Sequence, residues 1–208
     1  TGADIPATVR DALQDAMEIA LANVGTFDGR VVVCPDVSGS MSSPVTGARR
    51  GASSAVRCID VAGLVAAAVA RVNKDALVLP FENRVREIAL NLRDSVMTNA
   101  EKLASIGGGG TNCSAPLAWL NARQVHADLV IFVSDNQSWV DARQTGASEM
   151  MRQWRAFKSR NEAAKLVCID IQPLGTTQAA EHADVLNVGG FSDEVFEVIA
   201  AFMDGKLG

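Results

Sequence analysis

Histidine and paired cysteine are scarce in this 208-residue chain: it has two His and four Cys, and no two Cys form a C-x-x-C pair. That scarcity argues against a structural zinc site, which draws on those side chains. Long apolar runs are missing too. None nears the roughly 20 residues needed to cross a bilayer, and the amino end lacks a basic stretch followed by a signal-peptide core. No membrane partner is therefore expected. Positive charge is not in excess either, with a net charge of −5 and a pI near 5.0. An acidic balance disfavours a broad electrostatic grip on nucleic acid, while leaving room for a local basic patch. Nucleotide and hydrolase signatures are absent: there is no G-x-x-x-x-G-K-[ST] loop and no G-x-S-x-G elbow. His126 and His182 stand in no motif that ties them to a nucleophile, and both read as surface or loop residues.

What is present is globular: 48% hydrophobic, 21% charged, mean hydropathy +0.13. The length fits one domain with a substantial core. The chain starts at Thr1 rather than Met, which leads us to expect an excised domain or a processed product. Cys34 and Cys168 fall in apolar strand runs. All four cysteines, Cys58 and Cys113 included, read as reduced thiols, consistent with a cytoplasmic protein.

Strands and helices alternate along the chain, the pattern of a parallel sheet covered on both faces. An opening helix is expected from Pro6 to Asn23, then a strand over Val31–Pro35. The helix Cys58–Val72 is apolar nearly all round, which places it inside the core. Ala76–Phe81 and Val85–Ala89, flanking Glu82-Asn83-Arg84, read as a hairpin that supplies an antiparallel edge. Helices follow at Ser95–Ser105, Pro116–Arg123, Ala147–Asn161 and Asp193–Met203, and strands at Leu129–Ser134, Leu166–Ile171 and Val185–Val188. The stripe Met150, Met151, Trp154 and Phe157 reads as core packing, and Asp170 as a solvated acid at a strand end.

Three of these segments carry chemistry. Val31-Val32-Val33-Cys34 is followed by Asp36-Val37-Ser38-Gly39-Ser40-Met41, so a carboxylate and two hydroxyls appear where a buried strand must end. In open α/β sheets, ligands bind outside the carboxyl ends of the strands. Gly107-Gly108-Gly109-Gly110 ends in the hydroxyl of Thr111. Leu129–Ser134 is a second buried run that ends in a carboxylate, Asp135. Oxygen donors without His or thiolate suit Mg²⁺, Mn²⁺ or Ca²⁺ rather than zinc.

The order D-x-S-x-S, then G-G-T, then a strand-end Asp resembles the metal-ion-dependent adhesion site of von Willebrand factor A domains. That resemblance implies a Rossmann-like, doubly wound α/β fold: a mostly parallel sheet with one antiparallel edge strand and helices on both faces. The domain would span residues 25–208, with an amino-terminal helix (1–24) that would link to a missing domain. It implies a metal site of Asp36, Ser38, Ser40, Thr111 and Asp135, with one coordination position open to an acidic side chain of a protein partner. A phosphatase of the haloacid dehalogenase kind needs a second Asp where Ser38 stands, so no enzyme activity is expected.

A narrower resemblance rests on Gly108–Leu117, on Ser134-Asp135-Asn136-Gln137, on Trp154-Arg155 and on Asp184–Ser192. These are similar to the A domain of the Ro (TROVE-module) family. In that family a ring of helical repeats binds Y RNAs and the single-stranded ends of misfolded RNAs, and the A domain closes the ring. RNA binding and RNA quality control are thereby implied for a parent protein. The alternative is a stand-alone A domain acting with an ATPase or chelatase in metal insertion or complex remodelling. Two basic groups, Arg49, Arg50 and Arg57 and then Arg152, Arg155, Lys158 and Arg160, read as solvated surface charge.

Overall fold

The computed structural model describes residues 12, 15–16, 18–47, 54–135, 146–172 and 182–207. The expected opening helix lies mostly outside them, as do Arg49, Arg50, Asn136 and Gln137. Five parallel strands form one sheet in the order β2-β1-β3-β4-β5, with β1 Val31–Pro35, β2 Leu77–Val78, β3 Leu129–Ser134, β4 Lys165–Asp170 and β5 Val185–Gly189. Parallel strands covered on both faces read as unbroken apolar runs. Accordingly, every residue of β1 and β3 is buried.

Side chains alternate across the sheet and divide the core in two. Val31, Val33, Leu129, Ile131, Val133, Val167 and Ile169 face one layer. It is built from α1 Cys58–Val72, α2 Val96–Ala104 and α5 Glu194–Met203. Val32, Cys34, Val130, Phe132, Leu166 and Cys168 face the other, beneath α3 Ala115–Ala122 and α4 Gly146–Lys158. As expected, α1 lies in the core, with ten of its fifteen residues buried. The stripe on α4 is packing: Met150, Trp154 and Phe157 are buried and Met151 lies against the same cluster.

Among the described residues the expected antiparallel edge strand does not form. Leu79 and Phe81 donate their N–H groups to Val33 (2.9 Å) and Pro35 (3.0 Å), so the even-numbered residues face outward from this edge. One of these is Pro80, which has no N–H to offer a sixth strand. A single antiparallel bridge, Phe81 with Val85, remains of the expected hairpin. Beyond it, Ile88 and Leu90 pack against the core beside α1 and α2 instead.

Candidate metal centre

The strand order places β1 and β3 side by side with their connections running to opposite faces. At such a switch point a crevice opens beyond the strand ends. Asp36 sits in it, fully buried. Its backbone N–H extends the β1–β3 ladder by donating to the Val133 carbonyl at 2.9 Å. Its Oδ1 accepts from the Ser38 N–H at 2.8 Å, the short-range bond that turns the chain after an Asx residue. Its Oδ2 accepts from the Ser134 hydroxyl at 2.9 Å. The carboxylate is thus oriented from two sides.

The chain then enters a short 3₁₀ turn, Gly39–Ser42. Ser38 is fully buried, and its Oγ lies 3.3 Å from that of Ser40. The glycine loop is clipped onto this turn by two backbone bonds: Gly108 N–H to the Val37 carbonyl and Gly39 N–H to the Gly109 carbonyl, both 3.0 Å. Gly109 adopts a φ of +82°, and a Cβ there would meet Glu82 Oε2 at 1.9 Å, so the loop passes 82–83 only as glycine. Thr111 leaves this loop on the solvent side, and its hydroxyl makes no hydrogen bond among the described residues.

Asp135 follows β3, 1% exposed. Its charge acts on two neighbours. Burial pushes the Cys58 thiol up, the Ser43 hydroxyl 3.7 Å away draws it back, and Asp135 raises it again. Burial pushes the Asp170 carboxyl up to about 7, and the negative charge of Asp135 adds to the effect. Asp170 ends β4 and is 4% exposed, so it is not the solvated acid the sequence suggested. Its Oδ1 is buried without a hydrogen-bond partner. Sequence reasoning placed Asp170 at a strand end but in solvent, and missed Ser134 as the residue that orients Asp36. A signal for Asp170 existed: Leu166–Ile169 followed by Asp repeats the grammar of β1 and β3, an apolar run closed by a carboxylate.

Among the described residues no group of three His, Cys, Asp or Glu is arranged to hold a metal. At the adjacent strand ends stand two carboxylates, Asp36 after β1 and Asp135 after β3, with the hydroxyl pair of Ser38 and Ser40 in the turn after Asp36. They fit a hard cation on two counts. Oxygens bound side by side to Mg²⁺ at 2.0–2.1 Å in an octahedron lie about 3 Å apart, close to the Ser38–Ser40 spacing. Burial is the main reason the Asp170 carboxyl is pushed up, and a cation beside Asp135 would offset the negative charge that adds to it. Asp36, Ser38, Ser40 and Asp135 are gathered at the crest of β1 and β3, and Thr111 stands at the exposed end of the loop tied to them.

The remaining cysteines behave as apolar filling. Cys34, Cys113 and Cys168 are free and buried, and burial raises the Cys34 and Cys168 thiols far above their ordinary range. His126 and His182 are exposed, the former bonded to Asn161 at 2.8 Å.

Comparison with known proteins agrees with this architecture. The chain is 28% identical over 211 residues to the RNA-binding protein RO60 of Deinococcus radiodurans, covering 96% of this chain and 36% of that protein. It is 23% identical over 198 residues to the RNA-binding protein RO60 of Caenorhabditis elegans, covering 95% and 29%. The chain therefore spans about a third of the length of these curated relatives. Among solved structures, the crystal structure of the Deinococcus radiodurans RO (RSR) protein superposes with a TM-score of 0.76 at 23% identity, over 97% of this chain and 39% of that one. The Ro60 vWA domain model matches residues 30–203, from just before β1 to the last residue of α5. The chain belongs to the Ro60 vWA domain family.

Proposed function

We propose that this chain is the divalent-cation-dependent recognition domain, a metal-ion-dependent adhesion site, of a Ro-like RNA-binding protein. It works in the cytoplasm, without catalysis, in the binding of noncoding or misfolded RNA and in RNA quality control. The observation that carries the metal reading is the Asp36–Ser40 turn, braced by Ser134 and by the glycine loop at the switch point. The RNA reading rests on family membership and on the relatives, which are RNA-binding proteins.

Asp36, Ser38, Ser40, Thr111 and Asp135 would hold Mg²⁺, or Mn²⁺ or Ca²⁺ in its place. When bound, the ion supplies a positive centre that attracts an acidic side chain of a partner protein. The chain's own residues set the selectivity. Two carboxylates balance the double charge, while neutral hydroxyls complete the donor set without overfilling it. Ser134 keeps the Asp36 carboxylate aimed, and the clipped glycine loop, which leads into Thr111, is tied to the turn. RNA reaches the assembly through the parent protein, which also supplies the partner surfaces.

Thermal unfolding with and without Mg²⁺ tests the metal reading. A ligand at about 100 times its Kd stabilises the folded state by about 2.7 kcal/mol. That gain should disappear in Ser38→Ala and in Asp36→Asn, which keeps the acceptor for the Ser38 N–H but removes the charge. Circular dichroism should show both variants folded without metal. A Mg²⁺ gain unchanged in both variants would contradict the assignment.

A further inference from the structure

A second site lies on the other side of the glycine loop. The 83–87 segment and α3 enclose an open cleft of about 660 Å³. Arg84, Arg86, Arg123, Trp119, Asn83 and Asn112 line it. Three guanidinium groups meet one carboxylate in that wall, Glu87, on a chain whose net charge is −5. The cleft is therefore a local positive field on an acidic molecule. The Cζ of Arg123 sits over the Trp119 ring, 4.2 Å from its centroid, and the side chain is 50% exposed. Its contact with Glu87 is long, 3.4 Å, between two exposed groups, and such pairs hold weakly. Arg86 reaches Glu82 at the same length. Arg84 is exposed and has no ion pair among the described residues.

The basic group on and just beyond α4 is spent differently. Arg152 is held by Glu149 through two bonds of 2.7 and 2.6 Å, Lys158 by the Ala164 carbonyl at 2.9 Å and by Asp184 at 3.6 Å, and Arg160 by Asn121 at 2.6 Å. Those three cations are committed to structure, while Arg155 is exposed with no ion pair among the described residues. In the cleft, Arg86 and Arg123 are held only by 3.4 Å contacts, and Arg84 has no ion pair among the described residues.

We infer that this cleft binds single-stranded RNA, with backbone phosphates on Arg84 and Arg86 and one base stacked on the outer plane of Arg123. An unstacked base lies on an aromatic ring or on a guanidinium plane with equal ease, and Arg123 on Trp119 offers that plane already assembled. Positive side chains on an open cleft wall suit the phosphates, which position the strand without reading its sequence. The inference rests on the RNA-binding reading above, and it adds a contact made by this domain itself and independent of the metal.

Fluorescence anisotropy on the 208-residue chain tests it, with a labelled ten-nucleotide oligoadenylate and an abasic ribose–phosphate chain of equal length as probes. Binding should fall steeply with salt and be the same in EDTA, in Mg²⁺ and in Ser38→Ala. Arg84→Glu should weaken both probes by about tenfold and lower the salt slope by about one. Arg123→Lys, which keeps the charge and loses the plane, should weaken oligoadenylate by about tenfold and leave the abasic chain unchanged. Arg152→Glu should bind like the parent, and circular dichroism should show all variants folded. Absence of salt-sensitive binding, variants in the cleft that bind like the parent, or displacement of the probe by polyglutamate at equal charge would overturn the inference. The last result would make the cleft a site for acidic protein segments. Binding that vanishes in EDTA or in Ser38→Ala would overturn it as well, because the RNA would then sit at the metal centre.

Discussion

Asp170 is buried next to a second carboxylate, and the cost of that arrangement depends on pH. Its proton is held up to about pH 7 in the folded chain and is released near 3.8 in an ordinary carboxylate, because burial and then the Asp135 charge oppose ionisation. Between these values the unfolded chain has lost the proton and the folded chain has kept it. Stability therefore falls as pH rises through this window and levels off above it. The full gap corresponds to something on the order of 4 kcal/mol. In EDTA, Asp170→Asn should remove that slope: equal to the parent near about pH 4 and more stable near about pH 8, as read by chemical denaturation. Parallel pH profiles for the two proteins would sink this account. At this scale the sequence showed where oxygens gather and not how they are covered. Asp36, Ser38 and Ser40 were legible because a short-range turn joins them. The burial of Asp170 depends on what packs over β4, which no local pattern carries.

Helix α1 illustrates what an element reveals. Its apolar circumference announced a helix enclosed on all sides, and Cys58–Val72 is the helix found. Its partner was not announced. α2 crosses so close that a Cβ on Gly63 would meet the Ala100 carbonyl at 2.8 Å. Gly63→Val should force the two helices apart and cost about 1–3 kcal/mol. Gly63→Ala should cost less, because alanine regains about 1 kcal/mol of helix propensity over glycine. Urea unfolding of the two variants checks the order, and a Gly63→Val protein as stable as the parent would contradict it. The misplaced hairpin has the same lesson in reverse. Apolar residues on either side of Glu82-Asn83-Arg84 satisfied the local pattern, yet the ladder needed an N–H that Pro80 lacks. Which edge a proline faces is set by the register with β1, through the bonds of Leu79 and Phe81, and register is not written in one segment alone.

For the whole molecule, the sheet order decides function. Placing β1 beside β3 brings the carboxylate after one strand onto the hydroxyl of Ser134 that ends the other, although 98 residues separate them. The meeting of strand ends and glycine loop was legible because each segment stood at the end of an apolar run or in a run of glycines. The cleft beside Trp119 was not legible, since its cations come from the 83–87 segment and from α3, which meet only in the fold. One surface thus carries a crest of oxygens and a basic wall on either side of the same glycine loop. The crest is the central claim. Crystals of the chain soaked in Mn²⁺ and measured at the manganese absorption edge test it most directly. The account predicts one strong anomalous peak within bonding distance of the Ser38 and Ser40 hydroxyls, absent in crystals of Asp36→Asn. A map with no peak at that turn, or with manganese bound elsewhere, would contradict it.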